Sequence, residues 1–591
     1  MSQYVKFCCH IAWAALLVTG LIASALADSA LYKPNNSVAF LVLAPDRGFL
    51  GNEEITDAFD LFAKKRNASL VFVTDERTLK YLRIGLNQLM DKGAEHIVII
   101  PLFISAAAPR YQLARALLEN EKLTTPISYT RSYGESFFAA EDLAAKFHMI
   151  PHPENTNLIV VGYGAVDNDS EQKMLVDWQR IAKAAVLGFN FSSIKILIGH
   201  EGKGENAERR TAALKQGLAN AIANNESLST VVVPFHFGPR FDSMMSFDER
   251  LRRLLPAGAQ LLQGNPRAED LATWLQREAN QNQRLTREDV GVVFLSHGSD
   301  FNWNESIREA VHPLAKRYKI EFVFSMADQA TIERALRKLE LRGVQAAVIV
   351  RAFALEQSFR DDIERMTGLD IEDRGMTLSP AREPPHRAYG PHGHGWEGSP
   401  MPRIRTVLPI QTVGGLGSSP LFAAALLDRA RELSRNPARD TIILVAHGSG
   451  DHRLNDEWLT VLKTIAEHMR VSGGDEFLAI KVATWREDWP DKRAPWVEKI
   501  RDMVEEAAKQ GGRAIVIPAR ITGEGPERKF LSGLEYDLGS GFAPHPLFLQ
   551  WVEEKIRDGI ARFANIRNAG GATEEVEDHD LAHSAGSAKA K

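Results

Sequence analysis

The chain repeats one pattern four times: a short run of aliphatic, mostly β-branched residues that ends at a polar turn. In two copies the turn reads His-Gly-Ser, at His297 and at His447. The other two turns are Pro45-Asp46 and Tyr163-Gly164. The four runs are Val38–Leu43, Leu158–Val161, Val292–Leu295 and Thr441–Val445. Side chains at the carboxyl end of a buried parallel strand lie where α/β sheets bind their ligands. The pattern therefore predicts a repeat protein with candidate sites at these turns.

Each copy continues with a helix, a turn at Gly or Asn, and a second buried strand. In unit three, Thr331 is predicted as the N-cap of a helix that ends before Gly343 and the strand Ala346–Val350. From the first turn to the end of the later strand, units one and three span 56 and 54 residues, whereas units two and four both span 71. This alternation predicts that a two-lobed protein was duplicated whole.

Apolar strands that alternate with helices indicate parallel sheets covered on both faces. We therefore predict an α/β fold of four three-layer lobes with mostly parallel sheets, arranged as two bilobal modules, each with a ligand cleft between its lobes. The predicted boundaries are 28–150, 151–283, 284–436 and 437–567 for the lobes and 568–591 for a disordered tail. Lobe 3 carries a His-, Gly- and Pro-rich insertion at 371–405, which we expect to be a mobile loop.

The first 27 residues have the features of a signal peptide. Lys6 supplies a positive charge, Ile11–Leu26 is apolar, and Ala25-Leu26-Ala27 is a small-residue cleavage signal. We expect an exported, periplasmic protein whose mature chain starts at Asp28 and has no transmembrane segment; an uncleaved membrane anchor is the alternative. The two cysteines, Cys8 and Cys9, lie in this segment. The expected mature chain thus has no disulfide, thiolate ligand or cysteine nucleophile.

The openings of units three and four resemble those of the class II metal chelatases of tetrapyrrole biosynthesis, the sirohydrochlorin cobaltochelatase and ferrochelatase family. That family opens with an apolar strand, His-Gly-Ser and a helix, and Val292–Asp300 and Ile442–Asp451 match this order. The later helix, Gly and strand, and a closing Gly-x-x-Pro segment, match in all four units. The resemblance implies insertion of a divalent metal, cobalt or iron, into a sirohydrochlorin-like tetrapyrrole in a cleft between two lobes.

The resemblance also implies a first histidine after the opening strand, a carboxylate after the next strand, and a second histidine beyond the later strand. No unit carries this complete set. Pro45 and Tyr163 replace the first histidine in units one and two. Met326 stands at the carboxylate position of unit three, and Phe359 and Pro526 stand near the second-histidine positions of units three and four.

His297 and His447 are therefore the candidate catalytic and metal-binding residues of the lobe 3 and lobe 4 module. A neutral imidazole binds cobalt or iron well and can accept a pyrrole proton near neutral pH. We expect one histidine from each lobe to face a shared cleft, as metal ligand and proton acceptor. The alternative is a structural role, in which the ring N–H satisfies buried backbone.

A second candidate metal site lies in lobe 2, where His200, Glu201 and His236 follow predicted strands. Two imidazoles and a carboxylate at one sheet edge suit a divalent transition metal. The alternative is that these are ordinary hydrogen-bonded or surface side chains.

Further basic residues recur near the later strand ends or in the insertion. The arginines could pair with the carboxylates of an acidic tetrapyrrole, or form ordinary salt bridges. The histidines of the insertion could deliver or sequester metal, or be incidental. These residues are Arg110, Arg240, Arg351, Arg520, Arg528, His386, His392 and His394.

The net charge of −5 gives no reason to expect a nucleic-acid partner. The leading functional hypothesis is an exported chelatase-family protein that binds a divalent metal and a tetrapyrrole and joins them in the cleft between lobes 3 and 4. The alternative from another class is a non-catalytic metal- or tetrapyrrole-binding protein that keeps the chelatase fold, because the ligand sets are incomplete.

Overall fold

The computed structural model describes residues 37–201, 205–225, 227–237, 241–242, 245–264, 267–369 and 402–563. The predicted signal peptide, the tail and the three histidines of the insertion lie outside these residues. Within this part of the chain, no helix combines the length and the hydropathy needed to span a bilayer.

Four sheets of four strands follow one plan. In each, the strands lie in the order second, first, third, fourth of their lobe, and neighbouring strands are parallel. Helices connect the strands and cover both faces. The predicted fold class, α/β with four three-layer lobes and parallel sheets, is therefore confirmed.

The first module contains lobes 1 and 2. The strands of lobe 1 are β1 (Val38–Pro45), β2 (Ala68–Val73), β3 (His96–Pro101) and β4 (Ile127–Tyr129). Its helices are Gly48–Ala63, Thr78–Asp91, Pro109–Glu119 and Phe137–Phe147. The sheet strands of lobe 2 are β5 (Thr156–Ala165), β6 (Ser193–His200), β7 (Ser229–Pro234) and β10 (Gln260–Leu261), with a small hairpin of β8 (Phe241–Asp242) and β9 (Met245–Ser246). Its helices are Asn168–Ala185, Glu205–Ala223, Phe247–Leu254 and Ala268–Asn282.

The second module contains lobes 3 and 4. The strands of lobe 3 are β11 (Val290–Ser296), β12 (Lys319–Phe324), β13 (Ala346–Ala352) and β14 (Ile410–Gly414). Its helices are Phe301–Val311, Gln329–Leu341, Arg360–Thr367 and Pro420–Leu433. The strands of lobe 4 are β15 (Thr441–Ala446), β16 (Ala479–Thr484), β17 (Ala514–Pro518) and β18 (Asp537–Leu538). Its helices are His452–Val471, Pro490–Lys509, Glu527–Phe530 and Pro546–Ala561.

The opening strands β1, β11 and β15 are buried at every residue because helices pack on both sides of each sheet. An aliphatic side chain gains about 1.5–3 kcal/mol on full burial, which explains why these strands read as unbroken apolar runs rather than as alternating patterns. The carboxyl ends of β11 and β15 are where the two His-Gly-Ser turns emerge.

The lobes of each module exchange their last helices. The closing helix of lobe 4, Pro546–Ala561, packs on β13 and β14 of lobe 3. The closing helix of lobe 2, Ala268–Asn282, likewise packs on the first helix and β3 of lobe 1. One continuous hydrophobic core accordingly joins lobes 3 and 4, and another joins lobes 1 and 2.

A buried charge cluster connects the two modules. Arg403 bonds Glu141 at 2.8 Å, and Arg405 bonds Asp142 at 2.7 Å and Asp270 at 3.1 Å. Burial raises the pKa of Asp142, although the Arg405 guanidinium opposes that shift. Breaking such a pair leaves an uncompensated buried charge, so this cluster fixes the contact between modules.

Candidate functional site

His447 follows β15 directly, and its side chain is 37% exposed. Its Nδ1 donates to the carbonyl oxygen of Gly448 at 2.9 Å. Its Nε2 lies 2.9 Å from Oδ2 of Asp488 and 3.3 Å from Oε1 of Glu487. Gly448 has φ of +78°, and a Cβ there would lie 2.8 Å from the Cβ of Thr484, so this sharp turn requires glycine.

This arrangement gives the imidazole a definite chemical role. A carbonyl oxygen only accepts, so Nδ1 carries a hydrogen. The oxygen of Asp488 also only accepts, so a hydrogen on Nε2 is donated to Asp488, and Nε2 is the nitrogen at which a proton can be gained or lost. The carboxylates of Glu487 and Asp488 stabilise positive charge at that nitrogen. The His447 cluster, defined as His447, Glu487 and Asp488, can thus hold a proton or attract a cation at the sheet edge.

The loop that carries the two carboxylates is tied to the histidine turn. Arg486 donates from Nε to the carbonyl of Ser449 and from Nη2 to the carbonyl of Gly450, both at 2.6 Å. Its φ of +50° is unusual for a residue with a side chain, and these charge-assisted bonds offset that backbone cost. Arg520 adds a contact of 3.3 Å to Glu487.

Glu487 and Asp488 were not among the residues selected from the sequence. The pairing register would have identified them. Because Ala446 pairs with Thr484, the residues that follow Thr484 lie beside the His447 turn. Two carboxylates therefore follow the second strand in lobe 4, at the place where one was expected from the sequence.

In lobe 3 the equivalent residues have different contacts. His297 is exposed and lies against the edge of Trp303, with ring centroids 6.4 Å apart. Ser296 pairs with Phe324, so Ala327 and Asp328 occupy the positions of Glu487 and Asp488. Asp328 accepts from the amide of Thr331 at 2.9 Å and caps a helix. Its carboxylate serves that helix end rather than the imidazole.

The segment after the opening turn of lobe 3 lies next to the loop after β17 of lobe 4. A Cβ at Gly523 would lie 3.6 Å from the Trp303 ring. The first turn of the helix after His297 therefore faces lobe 4. That His297 and His447 open onto one cleft stays a prediction.

In lobe 2 the three predicted metal ligands have separate partners. Nε2 of His200 lies 2.7 Å from Oε2 of Glu171. Nε2 of His236 lies 2.6 Å from Oδ1 of Asp248, and Glu201 accepts from Arg110 at 2.7 Å. Strand β5 separates β6 from β7 in the sheet, so the strand ends carrying the two histidines are roughly 10 Å apart. A shared metal at these residues stays a prediction.

Side chains from lobe 1 fill the corresponding cleft of the first module. Arg110 bonds Glu201 of lobe 2, and its Nη1 also donates to the carbonyl oxygens of Asp46 and Val73 at 3.2 and 3.0 Å. Arg47 of the first turn is buried and lies over the ring of Tyr163, 5.6 Å from its centroid. The opening turns of lobes 1 and 2 are thereby joined by cationic side chains.

The remaining arginines selected from the sequence have local partners. Arg351 is buried, and it donates to the carbonyl oxygens of Glu356, Ser358 and Gly414. Its burial lowers the pKa of the guanidinium to about 10. Arg528 bonds Glu524 on the surface at 2.6 Å, and Arg240 lies outside the described residues. A direct role for these arginines in binding tetrapyrrole carboxylates stays a prediction.

Among the residues that the structure describes, no three His, Cys, Asp or Glu side chains are arranged to enclose a metal ion. The His447 cluster is therefore a histidine with two carboxylates on one nitrogen. Such an arrangement of an imidazole and two carboxylates can take part in proton transfer.

No protein-family model matches the chain, and no curated protein matches it. Among solved structures, a multi-domain protein of Deinococcus radiodurans, DR2241, matches with a TM-score of 0.29 and 17% identity. The match covers 45% of this chain and 54% of that one, so the chain spans about half the length of the structure it matches. That protein is described as structurally similar to chelatases with two additional novel domains.

Proposed function

We propose that this protein inserts a divalent metal ion, cobalt or iron, into a sirohydrochlorin-like tetrapyrrole in the cleft between lobes 3 and 4. The observation that carries the proposal is the His447 cluster, in which Nε2 of His447 lies within 3.3 Å of two carboxylates. Its position at the carboxyl edge of a parallel sheet is where α/β proteins bind ligands. The His-Gly-Ser openings supply the link to chelatases.

Insertion replaces two pyrrole N–H protons of the macrocycle by one divalent cation, so two protons must be accepted. His447 takes one of them at Nε2, and Asp488 stabilises the resulting imidazolium. Glu487 and Asp488 attract the incoming metal substrate through their charge. The second proton goes to the other carboxylate or to the imidazole of His297.

Lobe 3 contributes the opposite wall in this proposal. His297 supplies a second imidazole, and Phe301 begins the following helix with 75% of its surface exposed. An exposed aromatic ring four residues after His297 suits stacking on a flat macrocycle. We also propose that the chain acts outside the cytosol, in the periplasm, on the strength of its N-terminal segment.

The second candidate function is a non-catalytic binding protein for the metal or the tetrapyrrole. It is favoured by the asymmetry of the two histidines. Within the described residues His297 has no carboxylate partner, because Asp328 caps a helix. A carrier needs only binding contacts, whereas insertion needs a base that takes up protons.

One assay distinguishes the two functions. The mature protein is incubated with Co²⁺ or Fe²⁺ and sirohydrochlorin under anaerobic conditions, and the absorbance of the macrocycle reports metal insertion. We expect the insertion rate to fall by about 100-fold in His447→Ala, the loss typical of removing a general base. His312→Ala, which removes an exposed histidine of lobe 3, is the control and should retain the rate.

Three outcomes are informative. Insertion that depends on His447 supports the enzyme. Saturable macrocycle binding without insertion supports the carrier and overturns the enzyme. A protein that does not insert the metal and does not bind the macrocycle contradicts both functions.

A further inference from the structure

The loop after β17 of lobe 4 brings a guanidinium to the His447 cluster. Nη2 of Arg520 donates to Oε2 of Glu487 at 3.3 Å, and Oε1 of the same carboxylate lies 3.3 Å from Nε2 of His447. Glu487 therefore contacts the imidazole with one oxygen and the guanidinium with the other. The side chains of Arg520 and Glu487 are only 22% and 18% exposed, so solvent screens their attraction less than it would on an open surface.

A second, fully buried carboxylate also contacts this guanidinium. Oε1 of Glu527 lies 3.9 Å from Nη2 of Arg520 and accepts from Nε1 of Trp485 at 3.1 Å. The amide of Gly525 donates to the other oxygen of Glu527. A carboxylate with no solvent exposure needs hydrogen bonds or a cation to offset its lost hydration. Glu527 therefore holds Arg520 in place beside the His447 cluster.

The backbone of the same loop confines the guanidinium further. Gly525 lies so close to it that a Cβ there would overlap Nη2 of Arg520. The resemblance to chelatases implies a second histidine in this stretch, near Pro526. The loop thus presents a cation where the resemblance leads us to expect an imidazole.

We propose that Arg520 is a positioning residue for His447, which acts through Glu487 and does not touch the substrate. Its charge keeps Glu487 ionised and holds one carboxylate oxygen against the imidazole. Asp488, whose side chain is 39% exposed, remains as the carboxylate that faces solvent. The effect on metal insertion rests on the proposed function, but the positioning itself can be tested in the protein without substrate.

The first test measures the ¹⁵N chemical shift of Nε2 of His447 in the full chain, at one pH and without metal or macrocycle. The loss of the signal in His447→Ala assigns it. Arg520→Gln should move the signal, because Glu487 loses the cation that holds it against the ring. The matched control is Arg513→Gln, which removes an arginine that pairs with Asp537 at 2.8 Å beside the opposite end of β17. The signal should stay in place in this control.

A double-mutant cycle separates action through Glu487 from a general loss of packing. In the Glu487→Gln background, adding Arg520→Gln should move the signal much less than it does in the wild type, because the contact is already lost. Arg520→Lys keeps the charge and should restore part of the wild-type shift. Gly525→Ala keeps every charge but displaces the guanidinium, so it should move the signal in the same direction as Arg520→Gln.

The second test measures the kinetics of metal insertion. Arg520→Gln should lower kcat by about tenfold, the lower end for a residue that supports a catalytic histidine, and should leave KM for the macrocycle unchanged. A higher KM at constant kcat would place Arg520 on the substrate and overturn the positioning role.

The NMR cycle decides the proposal even when no metal is inserted. A signal that Arg520→Gln does not move overturns the proposal, and so do equal changes with and without the Glu487 carboxylate. The expected NMR changes in a wild-type protein that inserts no metal support the positioning role and contradict the proposed function.

Discussion

The two modules share one strand order but use the space between their lobes in opposite ways. In the first module, Arg110 of lobe 1 reaches Glu201 of lobe 2, and Arg47 lies over Tyr163. In the second, His447 is partly exposed beside two carboxylates, and His297 is exposed. The first cleft is occupied by the protein's own cations, whereas the second presents titratable groups to solvent.

This difference teaches that the turns at the sheet edge, and not the sheets, decide what each module can do. Tyr163 replaces an imidazole in lobe 2 and accepts the Arg47 guanidinium on its ring face. Tyr163 pairs with Gly199, and Glu201 follows two residues later. In lobe 4 the register of β15 and β16 places Trp485 opposite His447, and Glu487 again follows two residues later. The same carboxylate position therefore serves an inter-lobe ion pair in one module and an imidazole in the other.

The largest expected effect comes from removing the carboxylate partner of His447. Asp488→Asn should lower the rate of metal insertion by about 100-fold, at the upper end for a residue that supports a catalytic histidine. Absorbance of the macrocycle measures this rate. The control is Asp328→Asn, at the equivalent position of lobe 3, which should keep the rate because asparagine caps a helix as well as aspartate does. Equal losses in both variants would contradict the asymmetry of the lobes.

Breaking the cleft-crossing pair of the first module should destabilise the fold. Glu201→Gln removes the nearest carboxylate of the largely buried Arg110 guanidinium and leaves only Asp46, at 4.0 Å. We expect a loss of about 3 kcal/mol in the free energy of unfolding. Urea denaturation measures it. A double variant, Arg110→Met with Glu201→Leu, should recover part of the loss, because no unpaired charge remains. A loss of unfolding free energy no larger than that of a solvent-exposed ion pair would show that the cleft is more hydrated than this geometry indicates.

A buried lysine gives the stability of the first module a pH dependence above about pH 8. Nζ of Lys146 donates to the carbonyl of Pro234 across the lobes at 2.8 Å, and burial lowers its pKa from 10.5 to about 8. Below pH 8 the lysine is charged in both the folded and the unfolded state, and its burial penalty is fully present. As pH rises from about 8 to 10.5 the folded state loses its proton first, so stability increases by about 3 kcal/mol.

Lys146→Met should remove this increase, which is measured by denaturation at a series of pH values. In the second module Arg429, on the equivalent helix of lobe 3, makes an inter-lobe bond to the carbonyl of Pro544. An arginine stays charged throughout this pH range. An Arg429→Met variant should therefore keep the wild-type slope, and a loss of slope there would contradict the assignment to Lys146.

The smallest expected effect concerns the helix cap of lobe 3. Asp328→Ala should cost about 1 kcal/mol in the free energy of unfolding, because it removes the acceptor for the amide of Thr331. Asp488→Ala removes no cap and should cost less. Thermal denaturation compares the two. A larger loss for Asp488→Ala would mean that the His447 cluster has a structural role.

The strands and the His-Gly turns could be predicted from the sequence because they depend on local composition. A buried parallel strand is apolar along its whole length, so β11 and β15 can be recognised in the sequence without knowing which strands they pair with. Helix ends were less certain: Thr331 was wrongly predicted as an N-cap, and Asp328, three residues earlier, accepts the hydrogen bond. Both residue types cap helices, and only the backbone geometry distinguishes them.

The composition of the candidate site could be predicted only in part. His447 follows from its turn, but Glu487 is forty residues away on a loop whose position depends on how β16 pairs with β15. His200 and His236 show the opposite difficulty. Both follow strands of one sheet, yet β5 lies between them and each side chain is held by its own carboxylate. Strand order decides both cases, and a single sequence does not specify it.

The exchange of closing helices limits how far the two lobes of a module can move apart. At Gly559, the closing helix of lobe 4 approaches Val348 of lobe 3 so closely that a Cβ has no room. Rotating the lobes apart as rigid bodies would drag this helix across the sheet it covers and shear a packed core. If the proposed macrocycle binds between the lobes, its entry requires rearrangement of the short turns at the rim, and a substitution that stiffens a turn should slow uptake without altering the scaffold.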